Sequence, residues 1–396
     1  MTFNRLEIGE LVTLRQGFAI NKKTNYHISE KSTNLPLLRI GDMKDGAFKV
    51  FVRDTIPDKF IAKKSDVIYT RTGQVGAVFR GQLGVIHNNC FTVNTKDETI
   101  LLQEFIFYML QEKAFYEEAV SRATGAAQPD LPHGAFNSIQ VFLPPIDSQR
   151  NIIKILSNYD SLIENNQKQI KLLEEAAQRL YKEWFIDLRF PGHENVEIVD
   201  GVPEGWQYKK VSSFGSVITG KTPSTAKSQY YGGEVPFIKI PDMHKGIFPL
   251  VTEVTLSLEG AKSQKNKFIP KNSIMMSCIA TVGLVNISIE DCQTNQQINS
   301  IVLADERSLY YLYFAMKDLK SLLDGVGSNG ATMTNVNKEK FSNLSILCPD
   351  ILLLEKYYEY SKPLFDKILN LSKNINCLTE ARDRLLPKLI SGEIEV

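Results

Sequence analysis

Constellations of residues able to make or break bonds are scarce in this chain of 396 residues. Gly325-Val326-Gly327-Ser328-Asn329-Gly330 spells the G-x-G-x-x-G of dinucleotide-binding turns. It follows a helix-like run, Leu312–Leu323, where that geometry needs a strand, and it opens no helix. Leu143-Pro144-Pro145-Ile146 is close to the Asn-Pro-Pro-Tyr element that holds a flipped base. It lacks both the polar residue that accepts the amino group and the aromatic that stacks on the ring. The Pro-Asp pairs at 57–58, 129–130, 241–242 and 349–350 have no (Asp/Glu)-x-Lys partner close downstream, so a metal-dependent nuclease is unsupported. Neither a phosphate-cradling loop nor a nucleophile elbow is expected, and no residue is assigned a catalytic role.

What the chain does offer is side chains that recognise rather than react. Arg and Lys pair with guanine edges, and Asn and Gln can make two hydrogen bonds to adenine. In the first half the candidates for DNA contact are Lys22, Lys23, Arg39, Lys44, Arg71, Thr72, Gln74, Asn88 and Asn89. In the second half they are Lys221, Thr222, Ser224, Lys239, Lys245, Ser277, Thr281, Asn295, Gln296 and Gln297. Taken singly, each is more often a solvated side chain or a turn former; the reading rests on the set.

The formal net charge is only +1, yet Arg15–Arg71 holds 12 Lys/Arg against 6 Asp/Glu, and Lys221–Lys271 holds 8 against 4. Two separated basic stretches are either two phosphate footprints or two solvated surfaces. The five cysteines (Cys90, Cys278, Cys292, Cys348, Cys377) never form a C-x-x-C pair, and the five histidines are as dispersed. Neither a disulfide framework, a metal nor a cofactor is expected. No apolar run approaches a membrane span, and Met1–Glu7 has no apolar leader, so the expected location is cytoplasmic.

The elements that must carry these residues come in duplicate. Leu35–Met43 aligns with Val235–Met243 at an offset of 200, and Asp66–Tyr69 with Ser273–Met276 at 207. Phe136–Pro144 aligns with Phe341–Pro349, and Glu175-Ala176 with Glu380-Ala381, both at 205. A period this long is a duplicated module rather than a solenoid. The order is module, helix, module, helix, with expected boundaries at 1–146, 147–190, 191–349 and 350–396. Short β-branched runs such as Asp66–Thr70, Val75–Phe79 and Ser273–Ser277, bounded by turn formers, predict strands. Each module also carries a helical stretch late, at Leu101–Ala119 and Arg307–Leu323.

From Asp147 to Phe185 there is neither proline nor glycine, and apolar residues follow a heptad. One seam runs through Ile152, Tyr159, Asn166, Leu173 and Leu180, the other through Leu156, Ile163, Ile170, Ala177 and Trp184. Adding 205 gives Tyr357, Leu364, Leu371, Leu378 and Leu385, and Ser361, Ile368, Ile375, Arg382 and Leu389. Five heptads predict coiled-coil helices, the first about 58 Å long at 1.5 Å per residue. A rod with one apolar seam is unstable alone, so the two are expected to pack on each other, antiparallel. Asn166 either fixes their register or faces water. Pro363 is expected to kink the second helix or mark a late start, and Pro387 to end it or bend its last turn.

Two nonidentical α/β modules, each followed by a long heptad helix, resemble the layout of type I restriction-modification specificity subunits. Local wording agrees: Gly201-Val202-Pro203-Glu204-Gly205-Trp206, Ile218–Ser224, Tyr231–Phe237, Thr294–Ile298 and the ending Arg384–Ile394 are similar to that family's phrases. The first module departs in lacking Pro-Glu-Gly-Trp and in having Asn88-Asn89-Cys90 for the Thr-Asn-Gln-Gln run. The resemblance implies an α/β fold of two target-recognition domains spaced by the helices. Its partners would be double-stranded DNA, two adenine methyltransferase (modification) subunits that carry S-adenosylmethionine, and ATP-driven restriction subunits. The chain itself would be non-catalytic. The alternatives are the recognition subunit of another restriction-modification class, a standalone methyltransferase or nuclease, and a protein whose coiled coil is its function.

Overall fold

A computed structural model of the chain describes residues 4–279, 281–325 and 336–396. The glycine motif beyond Gly325, and the repeat match at Asn329-Gly330-Ala331, lie outside the described residues. The chain forms two compact units, Met1–Ile163 with Cys377–Val396, and Glu164–Asn376. Each unit unites one module with the beginning of one long helix and the end of the other.

In the first unit a four-stranded antiparallel sheet runs in the order Val12–Gln16, Cys90–Thr95, Val67–Thr70, Val78–Phe79. Beside it lies a smaller sheet, in which Gly84–Ile86 pairs parallel with Leu37–Leu38 and antiparallel with Ile61–Ala62. The second unit repeats the main sheet as Gly215–Thr219, Ile298–Leu303, Ile274–Ser277, Val285–Ile287, again antiparallel throughout. Its smaller sheet repeats the parallel pair as Tyr231–Ile238 with Gln293–Thr294. The central strands Val67–Thr70 and Ile274–Ser277 are buried at every position, which is why they read as continuous apolar runs instead of alternating ones.

The long helices are Ile146–Tyr181, closed by a π-turn at Lys182–Ile186, and Ile351–Ile390. In the first unit Ile152 and Leu156 share a core with Leu386, Leu389 and Ile390. In the second, Ala177, Tyr181 and Trp184 share one with Leu353, Tyr357 and Phe365. Start meets end in each, so the pair is antiparallel. Of the seam residues, Ile152, Leu156, Ile163, Ile368 and Leu371 are buried; Tyr159, Ile170, Leu173, Leu180, Leu364, Ile375, Leu378 and Leu385 are half-buried. The seam is not purely helix on helix. Ile152 and Leu156 also pack with Ile8, Phe105 and Met109, so the helix is part of the module's own core. Each such side chain stabilises by roughly 1.5–3 kcal/mol on burial.

Three expectations need correction. Leu101–Ala119 is two helices, Gln103–Met109 and Lys113–Ser121, because the Glu112 carboxylate accepts the Phe115 N–H and starts the second. Val75 lies in a turn, and the strand begins only at Val78. The second long helix neither starts late at Pro363 nor ends at Pro387. The stop comes at Gly392, whose φ of 74° is left-handed, and the Ile394 N–H closes back on the Lys388 carbonyl at 3.1 Å.

Candidate nucleic-acid interface

The two central hairpins present their turns in the same way. In the first module the Thr70 hydroxyl accepts the Ala77 N–H at 2.8 Å; in the second the Ser277 hydroxyl accepts the Leu284 N–H at 2.8 Å. Ser277 is buried, so among the candidates it is the one whose hydroxyl is spent locking a hairpin. Each turn is then tied to a neighbouring loop. Arg71 N–H donates to the Asn89 carbonyl at 2.8 Å, and Cys278 N–H to that of Gln297 at 2.8 Å. A third segment closes both: Leu131 N–H donates to the Arg71 carbonyl at 3.0 Å, and Val336 N–H to that of Cys278 at 2.9 Å. Asn88-Asn89 thus stands where Gln296-Gln297 stands in the other module.

A fourth segment leaves the edge strand beside that loop. Gly17 N–H donates to the Cys90 carbonyl and Gly220 N–H to the Ile298 carbonyl, both at 3.1 Å. A Cβ at Gly17 would lie 2.1 Å from the His87 carbonyl oxygen, and one at Gly220 would lie 2.2 Å from that of Asn295, so only glycine fits. Beyond these glycines run the exposed Lys22 and Lys23 in one module, and Lys221, Thr222 and Ser224 in the other. Lys221, Thr222, Asn295, Gln296 and Gln297 therefore converge, as do Arg71, Thr72, Gln74, Asn88 and Asn89.

The side chains on these equivalent frames differ. Arg71 donates through Nε and Nη2 to Asp130 at 3.1 and 2.6 Å, and through Nη1 to Gln16 at 3.0 Å. Thr72 adds a hydrogen bond to Asp130 at 2.5 Å. The Arg71 guanidinium is the main reason that the Asp130 carboxyl titrates below its ordinary range. The exposed Lys44 donates to Gln74 at 2.7 Å. At the position equivalent to Arg71 the second module has a buried thiol, Cys278, pushed up to about 11 chiefly by burial. Thr222 donates to Gln296 at 2.8 Å, and Asn295 closes a turn on Gln297, giving its amide to Gln297 Oε1 at 2.9 Å. Thr281 is exposed.

Arg39 and Lys239 each stand at the start of a short helix and next in sequence to a strand that pairs with the loop, Leu38 with Ile86 and Ile238 with Thr294. Arg39 donates to Asp42 at 2.8 and 3.1 Å; Lys239 N–H donates to Asp242 at 3.0 Å, and Lys245 lies 3.5 Å from the same carboxylate. Sequence reasoning missed Gln16, Asp130 and His87. The Asn89 N–H meets His87 Nδ1 at 3.3 Å, and burial first and Arg39 second lower the pKa of that ring. It also passed over Gly215–Thr222, a literal Gly-x-x-x-x-Gly-Lys-Thr. Its first five residues are a sheet strand and no helix opens at Lys221, so the phosphate-cradling geometry is missing. Among the described residues no helix is long and apolar enough to cross a membrane.

Duplicated α/β modules with equivalent polar turns, each packed on the long helices, define a recognition scaffold built of two like units. The type I restriction modification DNA specificity domain matches residues 2–175 and again 203–373, and the chain belongs to that family, as a specificity subunit. It is similar to the type I restriction enzyme HindI specificity subunit of Haemophilus influenzae, 31% identical over 91% of this chain and 94% of that protein. It is also similar to the MjaIX specificity subunit of Methanocaldococcus jannaschii, 27% identical over 85% of this chain and 79% of that one. Its fold is that of the crystal structure of the type I restriction-modification S subunit from M. genitalium, with a TM-score of 0.61 at 16% identity over 98% and 96% of the two chains.

Proposed function

We propose that each module reads one half of a bipartite, asymmetric DNA site, and that the helix pair sets the distance between the halves. Two modification subunits, carrying S-adenosylmethionine, dock on this chain and supply the chemistry, and restriction subunits join that complex. The chain contributes recognition and no catalytic group. One observation carries the reading: the two turns are built on the same hydrogen-bond frame but populated differently, with Arg71, Thr72 and Gln74 of the first module replaced by Cys278, Ile279 and Thr281 in the second. Same frame with different side chains selects different half-sites, with centres on the order of one DNA turn, ~10 bp, apart.

The test is to map methylated adenines in a host carrying the full system. Two unlike half-sites at one spacing are expected, and a continuous palindrome would overturn the reading. Methyl transfer or cleavage by the purified chain alone would overturn its non-catalytic part.

A further inference from the structure

Arg80 follows directly on Val78–Phe79, the strand that returns from the first reading turn. Its Nη2 donates to Asp160 Oδ2 at 2.7 Å and its Nη1 to the Tyr108 hydroxyl at 3.2 Å, while its guanidinium lies 4.1 Å over the Phe107 ring. The Tyr108 hydroxyl donates to the same Asp160 oxygen at 2.8 Å. The other oxygen accepts from Arg382 Nη1 at 2.8 Å, near the end of the second long helix. Arg382 is held on its remaining edge by Asp383, at 3.0 and 2.8 Å. One carboxylate, only 16% exposed, thus ties the hairpin of the reading turn to the first long helix and to the second. All of these groups belong to the first unit.

The duplication supplies an internal control. Shifted by the repeat offset, Arg80, Tyr108, Asp160 and Arg382 become Ile287, Tyr313, Phe365 and Ala177. All four are buried in the second unit's core, and Tyr313 meets Phe365 edge-on at 5.5 Å where Tyr108 donates to Asp160. The four equivalent side chains therefore close this position with no carboxylate or guanidinium of their own, although Lys317 lies 5.3 Å over the Tyr313 ring. What the charged version adds is direction: apolar packing adapts to small shifts, whereas a half-buried carboxylate between two guanidinium forks is satisfied in one geometry only.

We propose that Asp160 is a positioning residue that sets the first reading turn on the helix pair, and so restricts the spacer length at which the first half-site is accepted. This rests on the reading of two half-sites at a set separation. The test uses the complex of this chain with its modification subunits, selecting from a duplex library randomised over about two helical turns, roughly 20 bp. Asp160→Asn keeps the shape and removes the charge; Arg80→Lys keeps the charge and removes the fork. The native complex is expected to recover two motifs at one spacing. Both variants are expected to recover the same motifs over neighbouring spacings as well, about 1 bp to either side, with base preference at the second half-site unchanged. A single spacing retained by both variants, or a uniform loss of all bound sequences, overturns the inference alone. A native complex that selects no set spacing overturns the two-half-site reading first, and this inference with it.

Discussion

Arg71 is committed before any ligand arrives, its guanidinium forked onto Asp130 and propped by Gln16. Such buttressing leaves little freedom to be lost on binding, which suits a base-reading arginine. Arg71→Ala is expected to relax base preference in one half-site only and to raise the pKa of the Asp130 carboxyl, readable by NMR titration. Because that carboxyl titrates low in the fold, the tie contributes above the usual carboxylate range and is lost as pH falls through the lowered value. His87 acts with its own sign. Its pKa is lowered from 6.5, so below that pH the unfolded chain takes a proton the fold refuses, and stability declines. His87→Asn is expected to flatten that part of a denaturation-against-pH profile. Lys221, exposed beyond Gly220, is proposed to contact phosphate. Lys221→Ala should weaken binding to all sequences alike and lower the salt slope by about one unit, and a changed target at unchanged slope would reverse the assignment. The residue types were legible in the sequence. Their partners were not, since Asp130 and Gln16 lie 59 and 55 positions from Arg71, and no local pattern spans such distances.

At the scale of elements, the long helices were legible because a heptad is a local property, whereas their ends depended on tertiary packing. Pro363 and Pro387 each remove one backbone donor, yet helix Ile351–Ile390 runs through both, held by apolar side chains such as Phe365, Ile368, Leu386 and Leu389. A proline in a helix interior costs about 3 kcal/mol relative to alanine. Pro363 is exposed, so Pro363→Ala should restore a hydrogen bond without disturbing the core and raise the denaturation midpoint. Ile152 and Leu172 provide the contrast that tests the seam. Ile152→Ala, in a fully buried position shared with the module core, is expected to cost about 2–5 kcal/mol in chemical denaturation. Leu172→Ala, on the exposed side of the same helix, is expected to stay within about 0.5 kcal/mol.

For the whole molecule, duplication implies that the two modules read independently. Exchanging residues 203–345 for the corresponding segment of a relative should change one half of the methylated site and leave the other as it was. A change in both halves would mean that the modules share their readout. Each module has an apolar cluster of its own, around Tyr69, Phe91, Phe105 and Phe136 in the first unit and around Tyr311, Leu312, Phe314 and Phe341 in the second. Independence of the cores is the physical basis for independence of the readings.

The sequence by itself determined the duplication, the heptad rods, the α/β character of the modules and the chemical types gathered at the turns. Each of these is written in spacing, composition or self-similarity, which survive without knowledge of the fold. Only the tertiary structure decided that Ser277 locks a hairpin, that Cys278 is buried at the position equivalent to Arg71, that Gly215–Thr219 is a strand and the run Gly215–Thr222 no phosphate loop, and that Asp160 gathers Arg80, Tyr108 and Arg382. These facts turn on which segments lie side by side, and on whether a polar group finds a partner when buried. That is settled by long-range burial and hydrogen bonding, for which the local sequence carries no sign.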